Sequence, residues 1–251
     1  MAEPLLRIDG LTKRFGGLIA CDAVSLDIAP GEIHAVIGPN GAGKTTLVAQ
    51  LGGALRPDEG SVVFEGRDIT RATPEERSRR GIARSFQITS VFAGFSALDN
   101  VALAVQAHAG HSFRFWRSVA GDAELEDPAL AALERIGLGD RAGDPAGDLS
   151  HGERRQLELA MALVTEPRLL LLDEPTAGMG REDSDRMIAL LDALKGERTM
   201  LLVEHDMDAV FALADRITVM TYGKVIATDT PAAIRANEAV RAAYLGTDEV
   251  A

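Results

Sequence analysis

A glycine-rich segment near the amino end of the chain has the residue types that bind phosphate groups. The segment, called the P-loop below, reads Gly38-Pro39-Asn40-Gly41-Ala42-Gly43-Lys44-Thr45 and is followed by Thr46. It fits G-x-x-x-x-G-K-[ST] at every fixed position, and it lies between a predicted strand, Ile33–Ile37, and a predicted helix from Lys44. Glycines let backbone N–H groups approach an anion, Lys44 adds charge at the outer phosphates, and the Thr45 hydroxyl can ligate magnesium. An incidental glycine-rich turn is a much weaker interpretation in this context.

A second group of polar residues follows two apolar strands of the carboxyl-terminal half. Four leucines, Leu169–Leu172, precede Asp173 and Glu174, and His205 follows the apolar run Met200–Val203. At the end of a buried strand beside the P-loop, Asp173 could hold magnesium through water, and Glu174 could polarise an attacking water molecule. His205, at an equivalent strand exit, could contact the terminal phosphate. Two solvated acids and a structural histidine are the plainer alternatives.

A third segment, Leu149-Ser150-His151-Gly152-Glu153, precedes the acidic strand and has the pattern of a capping box. Ser150 would cap a helix, and Glu153 would bond back to it at the third helical position. This pattern does not require Gly152 in the first turn. A helix amino terminus left accessible by Gly152 would be suited to a phosphate held by another subunit. Both interpretations can hold together.

Composition and charge limit the class of protein. The chain has 251 residues, of which 46% are hydrophobic and 25% charged, and these are ordinary globular values. Its net charge of -12 argues against a general nucleic-acid surface, and a nucleic-acid partner is not expected. The single cysteine, Cys21, allows no internal disulfide, which favours a reducing compartment. No run approaches the ~20 apolar residues of a membrane span, and no signal peptide is apparent. Any membrane role is therefore expected to come from a partner.

The pattern of apolar residues predicts an α/β fold with an inserted helical part. Short strands rich in β-branched residues predominate up to about residue 86, interrupted by one helix from Lys44. An Ala- and Leu-rich helical block follows, and strands alternating with helices return from Arg168 to Ala227. Strand–helix alternation with buried strands predicts a parallel sheet covered by helices. The predicted amino-terminal strands are Leu5–Ile8, Val24–Ile28, Ile33–Ile37 and Val62–Glu65.

In the order of these motifs, over essentially its whole length, the chain resembles the ATP-binding subunits of ATP-binding cassette (ABC) transporters. The resemblance implies one ABC ATPase domain over 1–251, with a mixed-sheet core and an antiparallel β subdomain at 1–87 and 165–251. It also implies an inserted α-helical subdomain at 88–164. Phe15 matches the aromatic residue that stacks on adenine, and Gln87 matches the glutamine that contacts magnesium. The signature segment of the family contacts ATP held by the opposite subunit. The residues of this chain that match it are Leu149, Ser150, His151, Gly152 and Glu153.

Further segments are similar to the ATPases of branched-chain amino acid and urea or amide importers. They are Ile82–Gln87, Phe113–Trp116, Val203–Met207 and Ala242–Gly246. The similarity implies an ATP- and Mg²⁺-dependent ATPase on the cytoplasmic face of the membrane. Its expected partners are a second, identical or related ATPase in a head-to-tail dimer, membrane permease subunits and, indirectly, a substrate-binding protein. The apolar segment Val91–Phe95 is expected to help receive a cytoplasmic helix of the permease, with ordinary subdomain core as the alternative.

Several positions depart from the superfamily pattern. His151 and Glu153 replace a glycine and a glutamine of the usual signature, and the loop Pro175–Gly180 lacks its usual aspartate. The retained Ser150 and Gly152 still predict activity. Two other functions stay open on sequence alone: the ATPase of a lipid or lipopolysaccharide exporter, and a non-transport cassette ATPase. The insertion at Phe113–Trp116 favours the importer over the exporter.

Overall fold

The computed structural model describes residues 3–84, 91–108 and 122–242. The first of its two sheets has four antiparallel strands, in the order β2-β1-β4-β5. The second sheet has six strands, in the order β10-β9-β3-β8-β7-β6, and only the β9–β10 hairpin within it is antiparallel. The strands are β1 (Leu6–Phe15), β2 (Leu18–Ile28), β3 (Ile33–Ile37), β4 (Glu59–Phe64), β5 (Arg67–Asp68), β6 (Ile82–Arg84), β7 (Leu169–Asp173), β8 (Thr199–Val203), β9 (Arg216–Thr221) and β10 (Lys224–Asp229).

Helices cover the six-stranded sheet and form a separate group between β6 and β7. They are α1 (Lys44–Leu51), α2 (Pro74–Arg79), α3 (Ala97–His108), α4 (Ala123–Arg135), α5 (His151–Leu163), α6 (Arg181–Ala193), α7 (Met207–Leu213), α8 (Pro231–Ala236) and α9 (Glu238–Val240). Helices α3, α4 and α5 all lie within 88–164, the range expected to be the helical subdomain. Over the described ranges, no helix is both long and apolar enough to cross a bilayer.

Strand β7 contains four consecutive leucines because both of its faces are buried. Leu169 and Leu171 pack into the cluster that joins the six-stranded sheet to α1 and the antiparallel sheet. Leu170 and Leu172 point the other way, into a cluster built largely from α3, α4, α5 and α6. Side chains alternate between the two faces of a strand, so a strand covered on both faces must be apolar at every position. This confirms the prediction of a buried parallel strand that ends at Asp173.

The structure corrects the sequence-based boundaries in the amino-terminal part. Strand β1 continues to Phe15 and β2 begins at Leu18, because the two strands pair along their length as one hairpin. The prediction of a single helix before residue 86 is wrong, since α2 is a second one. Thr73 and Glu76 form a capping box at its start, with Pro74 at the first helical position. Six residues are too few to show a helical apolar repeat.

Arg77 of α2 is buried and forms hydrogen bonds to the end of α1, the helix that follows the P-loop. Its guanidinium donates to the carbonyl oxygens of Gln50 (2.8 Å) and Leu51 (2.5 Å) at the end of α1. It also donates to Ile69 and Thr70 at 2.8 and 3.2 Å, and its Nε donates to Ala72 at 3.2 Å. Burial lowers the pKa of Arg77 to about 10. The last carbonyls of a helix have no partner within it, so Arg77 satisfies groups that would otherwise be buried without a donor.

Replacing Arg77 with methionine keeps most of the side-chain volume but removes all five hydrogen bonds. We expect the free energy of unfolding to fall by about 3 kcal/mol or more, because buried carbonyl groups lose their donors. Urea denaturation followed by circular dichroism measures this change. Arg79→Met is the control on the same helix, since Arg79 is exposed and its loss should change stability by at most about 0.5 kcal/mol. Equal stability of the two variants would contradict the role given to Arg77.

Candidate functional site

The P-loop joins the buried strand β3 to α1 and is held from outside by the neighbouring sheet. Gly43 has φ of 100°, and a Cβ atom there would lie 2.0 Å from the Ala20 carbonyl oxygen of β2. No larger residue fits this position without moving the strand. The Gly223 N–H, in the β9–β10 turn, donates to the Ala42 carbonyl at 3.0 Å. The loop is therefore held by β2 on one side and by the β9–β10 turn on the other.

Lys44 turns its ammonium group back into the P-loop. The side chain is buried, and Nζ donates to the carbonyl oxygens of Gly38 (2.6 Å) and Pro39 (3.1 Å). Burial lowers the pKa of Lys44, and the carboxylates of Glu174 and Asp173 partly oppose that shift. A positive charge is thus placed against the backbone of the P-loop. This arrangement suits the phosphates of a nucleotide.

Asp173 ends β7 with a side chain that has no exposed surface. Burial raises the pKa of its carboxyl group, and the positive charge of Arg84 is the largest opposing influence. Nη2 of Arg84 lies 3.6 Å from Oδ2 of Asp173. Because β6 and β7 are parallel neighbours, both residues reach the same edge of the sheet.

Glu174 follows Asp173 in a strained backbone conformation. Its φ is +51°, an uncommon value for a residue other than glycine, and its N–H donates to the Val203 carbonyl at 2.8 Å. Oε1 of Glu174 lies 3.8 Å from Nδ1 of His205, whose side chain is 61% exposed. The structure therefore brings together Glu174 and His205, two predicted site residues from different strands. Strain of this kind is concentrated at functional sites.

Glu204, which sequence reasoning missed, ties the two strand exits together. Its buried carboxylate accepts hydrogen bonds from the Thr176 N–H (3.0 Å) and hydroxyl (2.5 Å), and its other oxygen accepts from the His205 N–H at 3.1 Å. The loop after Glu174 and the backbone of His205 are thereby held to one side chain. The available signal in the sequence was a glutamate between an apolar strand and His205. Its hydrogen-bond partner, Thr176, lies 28 residues away, so the sequence did not reveal the pair.

Phe15 lies at the tip of the β1–β2 hairpin, whose second strand contacts Gly43. Its side chain is 47% exposed, and the Lys13 ammonium lies 5.6 Å from its ring centroid. Leu18 and Ile19 at the same tip are also exposed, at 66% and 41%. Sequence reasoning missed these two, because an exposed apolar side chain on a strand has no distinguishing pattern. The apolar tip beside the P-loop offers a surface for a flat base.

The capping box predicted at Ser150 is confirmed. The Ser150 hydroxyl accepts from the Glu153 N–H (3.1 Å), and the Glu153 carboxylate accepts from the Ser150 N–H (2.7 Å). Arg141 adds an ion pair to Glu153 at 2.7 Å. Leu149 is buried, whereas Ser150 and His151 are exposed. Glu153 thus has a structural role at the position where glutamine is usual.

The prediction that Gly152 is itself accessible is wrong, although Ser150 and His151 beside it are exposed. Gly152 is buried, and a Cβ atom there would lie 2.5 Å from the Asp183 carboxylate of α6. The absence of a side chain lets α5 pack closely against α6. His151 instead reaches outward, and its Nε2 lies 3.2 Å from the Ala177 carbonyl in the loop after Glu174. The signature segment and that loop are therefore in direct contact.

Some predicted positions are exposed or fall outside the described residues. Thr45 is exposed at the start of α1, and Thr46 is partly buried beside it. Pro39, Asn40 and Gly41 form the exposed rim of the P-loop. Gln87, the insertion at Phe113–Trp116 and the tail from Ala243 onward lie outside the described ranges.

Two family models match the chain. The ABC transporter family model matches residues 21–177, and a model described as a branched-chain amino acid ATP-binding cassette transporter matches residues 224–250. The chain belongs to the ABC transporter ATP-binding family. The first match contains the P-loop, the signature segment and the whole of β7 with Asp173 and Glu174. The matched range also spans the helical group between β6 and β7.

Curated relatives align with this ABC ATPase along almost their whole length. It is 38% identical to BraF of Pseudomonas aeruginosa and to LivG of Escherichia coli K12, both high-affinity branched-chain amino acid transport ATP-binding proteins. Each alignment covers 98% of this chain and 99% of the relative. A probable branched-chain amino acid transport ATP-binding protein of Archaeoglobus fulgidus is also 38% identical, with 98% and 96% covered.

Solved structures of ABC cassettes have the same fold. A nucleotide-free ATP-binding cassette of an ABC transporter superposes with a TM-score of 0.85, at 30% identity, covering 98% of this chain and all of the other. An ADP conformation of such a cassette gives 0.86, with the same identity and coverage. A dimeric cassette bound to ADP and phosphate gives 0.76 at 26% identity, covering 90% and 98%. The predicted mixed-sheet ABC fold is confirmed.

Removal of the Lys44 ammonium should weaken nucleotide binding. In Lys44→Ala we expect the affinity for a fluorescent ADP analogue to fall about ten- to a hundredfold, since a charge-assisted contact with phosphate is lost. Equilibrium fluorescence titration measures this affinity. Lys224→Ala is the control, because Lys224 is exposed and pairs with Asp22 at the surface. Because Lys44 also bonds to P-loop carbonyls, thermal unfolding should accompany the titration. Unchanged ADP affinity would contradict the role of Lys44 in binding phosphate.

Proposed function

We propose that this ABC ATPase is the ATP-hydrolysing subunit of an importer for branched-chain amino acids or related small solutes such as urea and amides. The observation that carries ATP hydrolysis is the meeting of Glu174 and His205 at the sheet edge that also carries the P-loop. The transported solute rests on the named function of the 38%-identical relatives. The site is expected to work on the cytoplasmic face of a membrane.

The described side chains suit hydrolysis of a nucleoside triphosphate. Backbone N–H groups of the P-loop and Lys44 would hold the phosphates, with Phe15 against the base. Glu174 would orient the attacking water and accept its proton, and His205 would contact the terminal phosphate. Oε1 of Glu174 lies 3.8 Å from Nδ1 of His205, which places the proposed base beside the proposed phosphate contact.

The site also suits a magnesium ion. The Thr45 hydroxyl and the Asp173 carboxylate are the hard oxygen donors that Mg²⁺ prefers, and Gln87 completes the predicted set. When bound, the ion would neutralise charge on the phosphates. The P-loop, β7 and α1 bring the donors to one edge of the sheet. The chain's own residues then need only orient the nucleotide and the water.

A second ATPase subunit would complete the site. Ser150, at the exposed start of α5, would contact the terminal phosphate bound by the opposite subunit in a head-to-tail dimer. The dimeric cassette bound to ADP and phosphate supports such an assembly for a structural relative. His151, through Ala177, would link each signature segment to the loop beside Glu174.

An exposed aromatic pair supports a permease partner. Phe92 and Phe95 are 58% and 48% exposed, with ring centroids 5.5 Å apart. The buried Asn100 fixes their loop by accepting from the Phe92 N–H at 2.8 Å and donating to its carbonyl at 3.1 Å. For these two rings the alternative of ordinary subdomain core is wrong. A fixed apolar surface would suit a cytoplasmic helix of the permease, which in turn receives solute from a binding protein.

Replacing Glu174 with glutamine keeps the shape of the side chain and removes the base. We expect ATP turnover to fall by about 10²- to 10⁴-fold, while ATP still binds and holds a dimer. Phosphate release and light scattering in the presence of ATP measure these two outcomes. Glu197→Gln is the control, since Glu197 is an exposed partner of Arg135. Normal turnover in Glu174→Gln would remove Glu174 from the role of base.

Purification of the tagged chain from its own cells tests the transport function. Gentle solubilisation of the membranes should recover multi-spanning membrane proteins, a second ABC ATPase and a binding protein that can be screened for amino acid, urea and amide ligands. Phe92→Ser together with Phe95→Ser should reduce that recovery while leaving ADP affinity unchanged. Recovery of lipid-export components would support the exporter alternative. Recovery of ribosomal or DNA-associated proteins without membrane proteins would end the transport proposal.

A further inference from the structure

Gln50 is an amide side chain buried between α1 and β2. It has no exposed surface. Its Nε2 donates to the Thr46 carbonyl oxygen and to Sγ of Cys21, both at 3.3 Å. Among the described residues, its Oε1 has no hydrogen-bond donor. A buried acceptor without a donor costs free energy, so an apolar side chain would be the more stable choice if this position served packing alone.

Cys21 of β2 extends the contact from Gln50 to the P-loop. The Cys21 side chain is fully buried, and its thiol donates to the Gly43 carbonyl oxygen at 3.7 Å. Burial raises the pKa of Cys21 to about 11, against the opposing effect of the hydrogen bond from Gln50. The sulfur therefore keeps the proton that it donates. Gln50, Cys21 and Gly43 form one continuous chain of hydrogen bonds.

The Gly43 carbonyl belongs to the peptide that presents the first N–H group of α1. The Leu47 N–H also donates to this carbonyl, at 2.9 Å, so the oxygen points along the helix. The Gly43 oxygen and the Lys44 N–H lie on one trans peptide and point in opposite directions. A carbonyl held in this way aims the Lys44 N–H out of the helix amino terminus, where phosphate groups bind. Because Gly43 has no Cβ atom, its own sterics restrain this peptide little.

We propose that Gln50 and Cys21 are a pair of positioning residues that hold the Gly43–Lys44 peptide in the orientation that binds phosphate. This role rests on the proposed binding of nucleotide phosphates at the P-loop. Both side chains are buried, so they act through the backbone. Arg77 restrains the same pair from the other end of the helix, because it donates to the Gln50 carbonyl at 2.8 Å.

The pair is expected to act on binding more than on folding. If only a fraction of the molecules has this peptide in the binding orientation, the apparent dissociation constant rises by the inverse of that fraction. Removal of the Gln50 amide lets the thiol turn away from Gly43 and so lowers that fraction. The same change removes a buried acceptor without a donor, which offsets the lost hydrogen bonds in the free energy of unfolding. A glutamine with a structural role alone would give lower stability and unchanged affinity.

The first test measures the affinity of the purified chain for ADP and for inorganic pyrophosphate, by competition with a fluorescent ADP analogue. In Gln50→Met both affinities should fall about three- to tenfold, and by the same factor, because the pair acts at the phosphates. The midpoint of urea unfolding should change little. Unchanged affinity for both ligands, or a loss for ADP alone, would overturn the proposal.

The second test uses two alanine substitutions on β2. Cys21→Ala removes the thiol and should lower both affinities by a factor similar to that of Gln50→Met. Val24→Ala is the matched control, because it empties a buried position of the same apolar cluster three residues further along the strand. It should lower the urea midpoint and leave both affinities unchanged. An equal loss of affinity in the two variants would show that any loss of packing on β2 has this effect, against the proposal.

The double variant tests whether the two residues act together. Gln50→Met combined with Cys21→Ala should cost no more affinity than either change alone, since both break one chain of contacts. Additive losses would contradict the pair. If Gln50→Met does not fold, Cys21→Ala and Val24→Ala decide. Failure of the wild-type chain to bind ADP and pyrophosphate would contradict the phosphate site itself, whereas wild-type binding that the variants leave unchanged would contradict only the positioning role.

Discussion

The site depends on holding an irregular glycine-rich loop in one shape. Backbone N–H groups attract phosphate only if they point to one place, and a free loop would lose that order. Here the Ala20 carbonyl presses against Gly43, and the β9–β10 turn bonds to Ala42. Arg77 fixes the far end of α1 through its carbonyls. The two sheets and α2 can therefore be understood as a support for the P-loop.

The same constraint explains where the other polar groups lie. Parallel strands place their carboxyl ends at a common edge, so residues far apart in sequence meet there. Asp173, Glu174 and His205 each lie at or just after the end of a strand, and Arg84 ends another. Glu204 connects two of these exits through Thr176, so the loop after Glu174 and the backbone of His205 are held to the same carboxylate. A displacement of one strand end would therefore displace the other.

The helical group extends these contacts away from the nucleotide. His151 at the start of α5 contacts the loop after Glu174, and Gly152 allows α5 to lie against Asp183 of α6. On its other side the group forms a wall of a cleft that reaches Arg84. Ala104 of α3 and Met161 of α5 thus line the same cleft as Arg84, while His151 contacts the loop beside the proposed base.

The sequence by itself determined the chemistry and the class of fold. Contiguous residues with fixed spacing define the P-loop, the acidic strand end and the capping box at Ser150, and local hydrogen bonding and strand burial require those patterns. The tertiary structure alone decided which distant groups meet. Four contacts join residues that are between 26 and 89 positions apart. They are Arg77 with Leu51 of α1, Glu204 with Thr176, Asp183 with Gly152, and Arg84 with Asp173. No local pattern marks such pairs, because their contact depends on how whole strands and helices pack.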